Sequence, residues 1–141
     1  MRIVEEFDAK GHPNVRAAHP TTIEITTEQF VTLRGDCIVL VASSKAAKDL
    51  SEDFKKLAKR PEAKIRLTLT VDNVMFSVNG RGSPLLTFMG SKDMVVRKSS
   101  FVSDRTIMIS ADKASIDIPR ILVEWLKNPN THASVMLEAE V

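Results

Sequence analysis

The chain has 141 residues, 43% of them hydrophobic and 27% charged, with 20 Lys and Arg against 18 Asp and Glu. That suits one domain, residues 1 to 141, with its own core, and it argues against both disorder and a bulk charge excess of the kind that binds nucleic acid. A lone cysteine, Cys37, rules out an intramolecular disulfide and points to a reducing, intracellular setting, and no apolar run reaches the roughly 18 to 20 residues that span a bilayer.

In chain order, Arg2 to Phe7 alternates weakly, Gly11-His12-Pro13-Asn14 has the composition of a turn, and Thr21 to Thr27 alternates β-branched residues. The simplest expectation is a hairpin. After the break at Arg34-Gly35-Asp36 comes an apolar run, Cys37 to Ala42, of the kind that forms a strand covered on both faces. From Ser44 the period changes. Ala46, Ala47, Leu50, Phe54, Leu57 and Ala58 recur at helical spacing, with Ser43 or Ser44 as a cap and Arg60-Pro61 as a stop.

Lys64 to Val71 and Val74 to Val78 alternate on either side of Asp72-Asn73, which predicts a second hairpin. Leu85 to Phe88, Met94 to Arg97 and Arg105 to Ser110 are further short strands by pattern. A second helix carries the stripe Ala114, Ile118, Ile121, Leu122, Trp125 and Leu126, with Asp112 as a candidate cap. Pro119 must either kink it or sit in its first turn. Ala133 to Val141 alternates as a closing strand. No internal repeat, linker or low-complexity tract is evident. Eight or more strands with two helices predict a mainly β, α+β fold, an antiparallel sandwich or barrel.

Polar residues with chemical potential gather in three breaks between strands, where a rigid scaffold can present them. The first holds His12 and His19, each followed by proline, as candidate proton carriers or metal ligands; surface turn residues are the plainer alternative. In the second, Arg34, Asp36 and Cys37 meet at the mouth of an apolar strand, although Cys37 beside Ile38 and Val39 reads better as a buried small residue than as a nucleophile. The third, Arg97 to Thr106, combines Arg97, Lys98, Ser99 and Arg105 with two more serines, a composition suited to cradling an anion. Residues 45 to 66 are also basic, but Glu52 precedes Lys55 and Lys56 at pairing distance and the free cations collect at the helix carboxyl end, where they complement its dipole.

Together, Gly11-His12-Asn14-Val15, His19 with Thr21-Thr22 and Glu24, Arg34-Gly35-Asp36-Cys37-Ile38, and Arg97-Lys98-Ser99 with Arg105-Thr106 resemble an archaeal family known as domain of unknown function 371. The resemblance runs over nearly the whole chain. It implies an archaeal cytoplasmic protein with a jelly-roll-like sandwich and added helices, and nuclease activity in some members.

Two functions compete on these residues. One is a site for a phosphate-bearing ligand or nucleic acid, extending to a nuclease or other phosphoryl hydrolase. Here His12, His19 and Asp36 would act as catalytic groups, a divalent metal could be held, and Arg34, Arg97, Lys98, Ser99 and Arg105 would bind phosphate. The other is a non-catalytic protein- or ligand-interaction module in which the histidines satisfy backbone groups.

Overall fold

The computed structural model describes residues 1 to 141. Eight strands form two four-stranded sheets: β1 (Arg2–Lys10), β2 (Thr22–Thr26), β3 (Ile38–Leu40), β4 (Lys64–Val71), β5 (Val74–Arg81), β6 (Asp93–Arg97), β7 (Thr106–Met108) and β8 (His132–Glu140). The first sheet is antiparallel with order β1-β8-β4-β5; the second has order β3-β2-β6-β7. Alternation explains the split. Phe7 and Ala9, Ile65, Leu67 and Leu69, and Val135, Leu137 and Ala139 project inward from the first sheet and meet Ile23, Ile25, Met94 and Val96 of the second in one core cluster.

This is a sandwich-like, mostly β fold with two helices. It departs from the expected pattern in definite ways. The second sheet is mixed, because β2 pairs with β3 and β6 with β7 in parallel, whereas a jelly roll would run antiparallel throughout. The sheets touch at both margins through single bridges, Lys10 to Val41 and Arg81 to Ile109, without closing into a barrel. β1 and β2 form no hairpin, since β1 lies against β8 and β2 against β6. Leu85 to Phe88 is a loop rather than a strand.

The β4–β5 hairpin turns at Asp72, whose φ is 51°, as the Asp72-Asn73 pair predicts. The helical stripes are each split into a short 3₁₀ turn and a seven-residue helix, α1 (Glu52–Ala58) and α2 (Arg120–Leu126). Ser51, not Ser43 or Ser44, caps α1 through Phe54 N, and Pro119 stands just before α2, which removes the need for a kink. Asp112 does not cap a helix; its Oδ1 accepts from Asn79 N. Neither helix is long and apolar enough to cross a membrane.

An internal repeat, which the sequence pattern conceals, organises the molecule. Each half runs strand, strand, short parallel strand, 3₁₀ turn, helix, strand, and the halves interlock so that both sheets have a pseudo-two-fold axis at their centre, between β8 and β4 and between β2 and β6. The hydrogen bonds repeat pair for pair. Lys10 and Val41 bridge as Arg81 and Ile109 do; Lys48 N donates to Gly90 O as Ile116 N donates to His19 O; Asp49 and Asp117 accept the amides of Ala46 and Ala114. Four of the five residues with positive φ form two equivalent pairs, Ala17 with Phe88 and Ala42 with Ser110. Gly11 lies against the end of α2 and Gly82 against the end of α1, so each half closes the helix of the other.

Candidate functional site

The outward face of the second sheet is polar at its centre. In the β2–β6 register Thr22 faces Arg97, Glu24 faces Val95 and Thr26 faces Asp93, while Ile23, Ile25, Met94 and Val96 take the core side. Glu24 therefore sits diagonally between Asp93 and Arg97. The segment between β6 and β7 brings Arg105 back over this face, where a single nitrogen, Nη1, donates to Glu24 Oε1 at 2.8 Å and to Asp93 Oδ2 at 3.1 Å. Glu24 and Asp93 are only 8% and 5% exposed, and Asp93 Oδ1 is a buried side-chain oxygen with no hydrogen-bond partner.

Arg97 lies half-buried beside this trio. Its Nε donates to Thr106 Oγ1 at 2.9 Å and its Nη2 to Ser103 Oγ at 3.0 Å, and its guanidinium lies 4.9 Å from the centre of the Phe101 ring. These contacts fix its direction but supply no negative charge. Burial and the neighbouring Arg105 charge together lower the Arg97 pKa. Burial works against the charge on Arg105 too, but Asp93 and Glu24 outweigh it and raise the value. Burial, then the Asp93 charge, push the Glu24 carboxyl upward against the pull of Arg105, Lys92 and Arg97.

Cys37 borders the same face and is not a nucleophile in waiting. Burial, followed by the Glu24 charge, pushes its thiol up to about 11, so almost no thiolate exists at neutral pH.

The sequence candidates divide into those joined to this face and those that are not. Asp36 O accepts from Ala18 N and His19 N, and Lys98 N donates to Thr21 O beside Arg97. His19, Asp36, Arg97 and Lys98 thus share one end of the β2–β6 pair. Lys98 Nζ is 3.5 Å from Asp117 Oδ2. His12 stands apart, with its amide on Leu126 O and its ring on Asn14 N. Arg34 is exposed and makes no hydrogen bond, and Ser99 shapes its own turn by accepting from Phe101 N.

Both histidines are set as donors. His19 Nδ1 accepts from Thr21 N and Thr22 N, each at 3.1 Å, and His12 Nδ1 accepts from Asn14 N at 3.0 Å. A backbone N–H can only donate, so in each neutral ring the proton sits on Nε2 and no lone pair is left for general-base work. No three His, Cys, Asp or Glu side chains gather in a way that could hold a metal ion.

Asp93 is the part that the sequence candidates omit, whereas Ser103 and Thr106, which aim Arg97, fall within the third break. Period-two alternation over Asp93, Val95 and Arg97 was the available signal, since it puts both charges on one face of a strand. A hollow of about 630 Å³ lies elsewhere, on the outward face of the first sheet beside Glu6, Arg66, Thr68 and Met136.

A protein family described as a domain of unknown function, DUF371, matches residues 7 to 140. The chain belongs to this family. An uncharacterised protein of the archaeon Methanocaldococcus jannaschii is 40% identical over 119 residues, covering 84% of this chain and 87% of the relative. The DUF371 match takes in both halves of the repeat, all of the polar face, and the paired helices.

Proposed function

We propose that this DUF371 protein binds a ligand bearing a phosphate or a similar oxyanion on the outward face of the second sheet, with Arg97 as the primary contact. The observation that carries this reading is the state of Arg97: half-buried, aimed by Thr106 and Ser103, and without a carboxylate partner. A guanidinium held in this way is short of negative charge, and an oxyanion meets its planar donor edge with two parallel hydrogen bonds. The Nε2–H of His19 adds a donor at the same end of the sheet, and Lys98, paired with Asp117 at 3.5 Å, adds positive charge there. Arg105 is already engaged by Glu24 and Asp93, so it tunes the site rather than serving as the anion contact.

Binding is supported better than hydrolysis, because neither histidine offers a free basic nitrogen. Titration calorimetry with inorganic phosphate and with a short oligonucleotide tests the reading. Phosphate should bind wild type and bind Arg97→Ala at least tenfold more weakly. Oligonucleotide affinity that falls steeply with salt would extend the ligand to nucleic acid.

A second reading, an interaction module, draws on Phe30 and Phe101. They occupy equivalent positions in the two halves and are 63% and 61% exposed, a matched pair of apolar contacts for a partner. Loss of self- or partner association in Phe30→Ser, which leaves the Phe101 contact to Arg97 in place, with phosphate binding intact, would separate this role from the first.

A further inference from the structure

Two buried carboxylates on this face share one guanidinium nitrogen, and the second cation that balances them is Arg97. Glu24 and Asp93 bring two negative charges, and Arg105 Nη1, which contacts both, offsets one. Arg97 lies diagonally across from Glu24. The other groups acting on Glu24 are Lys92, which leads into β6 and is already 2.9 Å from Glu28, and the uncharged Cys37 thiol before β3. Asp93 Oδ1, buried and without a donor, marks the pair as short of one hydrogen. Glu24 Oε1 and Asp93 Oδ2 each lie within hydrogen-bond reach of the same nitrogen, so the two carboxylates share one small region and one added proton would relieve their repulsion.

We propose that occupation of Arg97 by an anion drives uptake of a proton from solvent by the Glu24 carboxyl beside Asp93, making this a proton-coupled anion site. The inference rests on the anion reading above. An oxyanion at Arg97 cancels the positive charge that helps to keep Glu24 ionised, and the carboxylate becomes a carboxyl by taking one proton from the surrounding water or buffer. No other bond forms or breaks. By linkage the converse holds, and protonating the pair strengthens anion binding. The direction in which burial and Asp93 already shift Glu24 supports the same coupling.

Sulfate is the suitable probe, because its own charge is constant from pH 5 to pH 8. Calorimetric titration of wild type at pH 6 to 7, repeated in buffers of different ionisation enthalpy, should show up to one proton taken up per sulfate, with affinity falling by as much as tenfold per pH unit. Glu24→Gln should still bind sulfate, with less proton uptake and a shallower pH dependence. As a second readout in wild type, the ¹³C shift of the Glu24 carboxyl should move toward the protonated value when sulfate is added. Sulfate binding without proton exchange and with an unmoved carboxyl shift, or uptake that persists undiminished in Glu24→Gln, overturns the coupling while leaving the anion site standing. An absence of sulfate and phosphate binding to wild type overturns the anion reading and the coupling with it.

Discussion

Cys37 and Arg105 occupy equivalent positions in the two halves of the fold: the Cys37 carbonyl accepts from Glu24 N and the Arg105 carbonyl from Val95 N, both at 2.8 Å. The backbone at the centre of the second sheet is therefore two-fold symmetric, but its side chains are not. One half contributes a thiol and a carboxylate, and the other a guanidinium and a valine. Arg105 reaches across the axis to Glu24 of the opposite half, so both halves contribute to the site. A two-fold symmetric backbone thus carries a single asymmetric centre.

The interlocking of the halves predicts that Gly11→Ala and Gly82→Ala are both strongly destabilising. A Cβ on Gly11 would lie 2.5 Å from the Leu126 carbonyl oxygen, and one on Gly82 would press into the Ala58 carbonyl, which is backbone and cannot swing aside. Each substitution should cost about 1–3 kcal/mol or more through forced backbone movement. Denaturant unfolding of the two variants checks this, and stability equal to wild type in either one would contradict the close approach.

Cys37 should alkylate slowly. With its thiol pushed up to about 11, the rate with iodoacetamide should climb about tenfold per pH unit from pH 7 to pH 9 without a plateau, and it should stay well below that of a free thiol. Mass spectrometry of timed samples measures both. Rapid labelling at pH 7 would restore the nucleophile reading.

Replacing Arg105 should harm stability more than replacing the exposed cations. Arg105→Met leaves Glu24 and Asp93 buried without their shared partner. The loss of such a pair costs about 3–5 kcal/mol when fully buried; the Arg105 side chain is 46% exposed, and solvent screening reduces the expected loss to about 1–3 kcal/mol. The variant should recover part of that loss as the carboxylates are protonated in acid, which chemical denaturation at several pH values would show.

The pH dependence of stability has opposite signs at two glutamates. Glu24 is raised in the folded state by burial and then by Asp93; its favourable contribution is complete below the ordinary glutamate value of 4.5 and is lost as pH rises through the raised value. For Glu5, burial pushes upward, but the Ser51 amide and Lys45 outweigh it and lower the pKa. Its contribution is present above 4.5 and is lost as pH falls through the lowered value. Relative to wild type, Glu24→Gln should thus gain stability between pH 4.5 and neutrality, whereas Glu5→Gln should lose its deficit in acid. Parallel pH series of urea unfolding for the three proteins would reveal a wrong sign directly.

Local pattern made several elements legible. The Asp72-Asn73 hairpin, the α1 stripe ending at Arg60-Pro61 and the last strand all follow from period and turn chemistry, which act within a few residues. Pairing is different. β1 finds β8 at the far end of the chain, and no local rule specifies that partner. The repeat left traces in Gly11 and Gly82, Phe30-Val31 and Phe101-Val102, Lys45-Ala46 and Lys113-Ala114, and Asp49 and Asp117. A segment between β2 and β3 that is three residues longer than its counterpart shifts the register from 71 positions, as in Lys10 and Arg81, to 68, as in Val41 and Ile109, and breaks up that similarity. At the site, loop composition pointed to Arg97 and Arg105 but hid Asp93, which looks like the polar start of an apolar strand until Arg105 is seen to cross to it.

The central claim is that Arg97 binds an anion, and the most direct measurement is calorimetric titration of wild type and Arg97→Ala with inorganic phosphate. Arg97 is half-buried and makes no salt bridge, so its removal should leave the fold intact by circular dichroism. The account predicts saturable phosphate binding to wild type and at least tenfold weaker binding to Arg97→Ala. Equal affinity in the two proteins, or no binding to wild type, would contradict it.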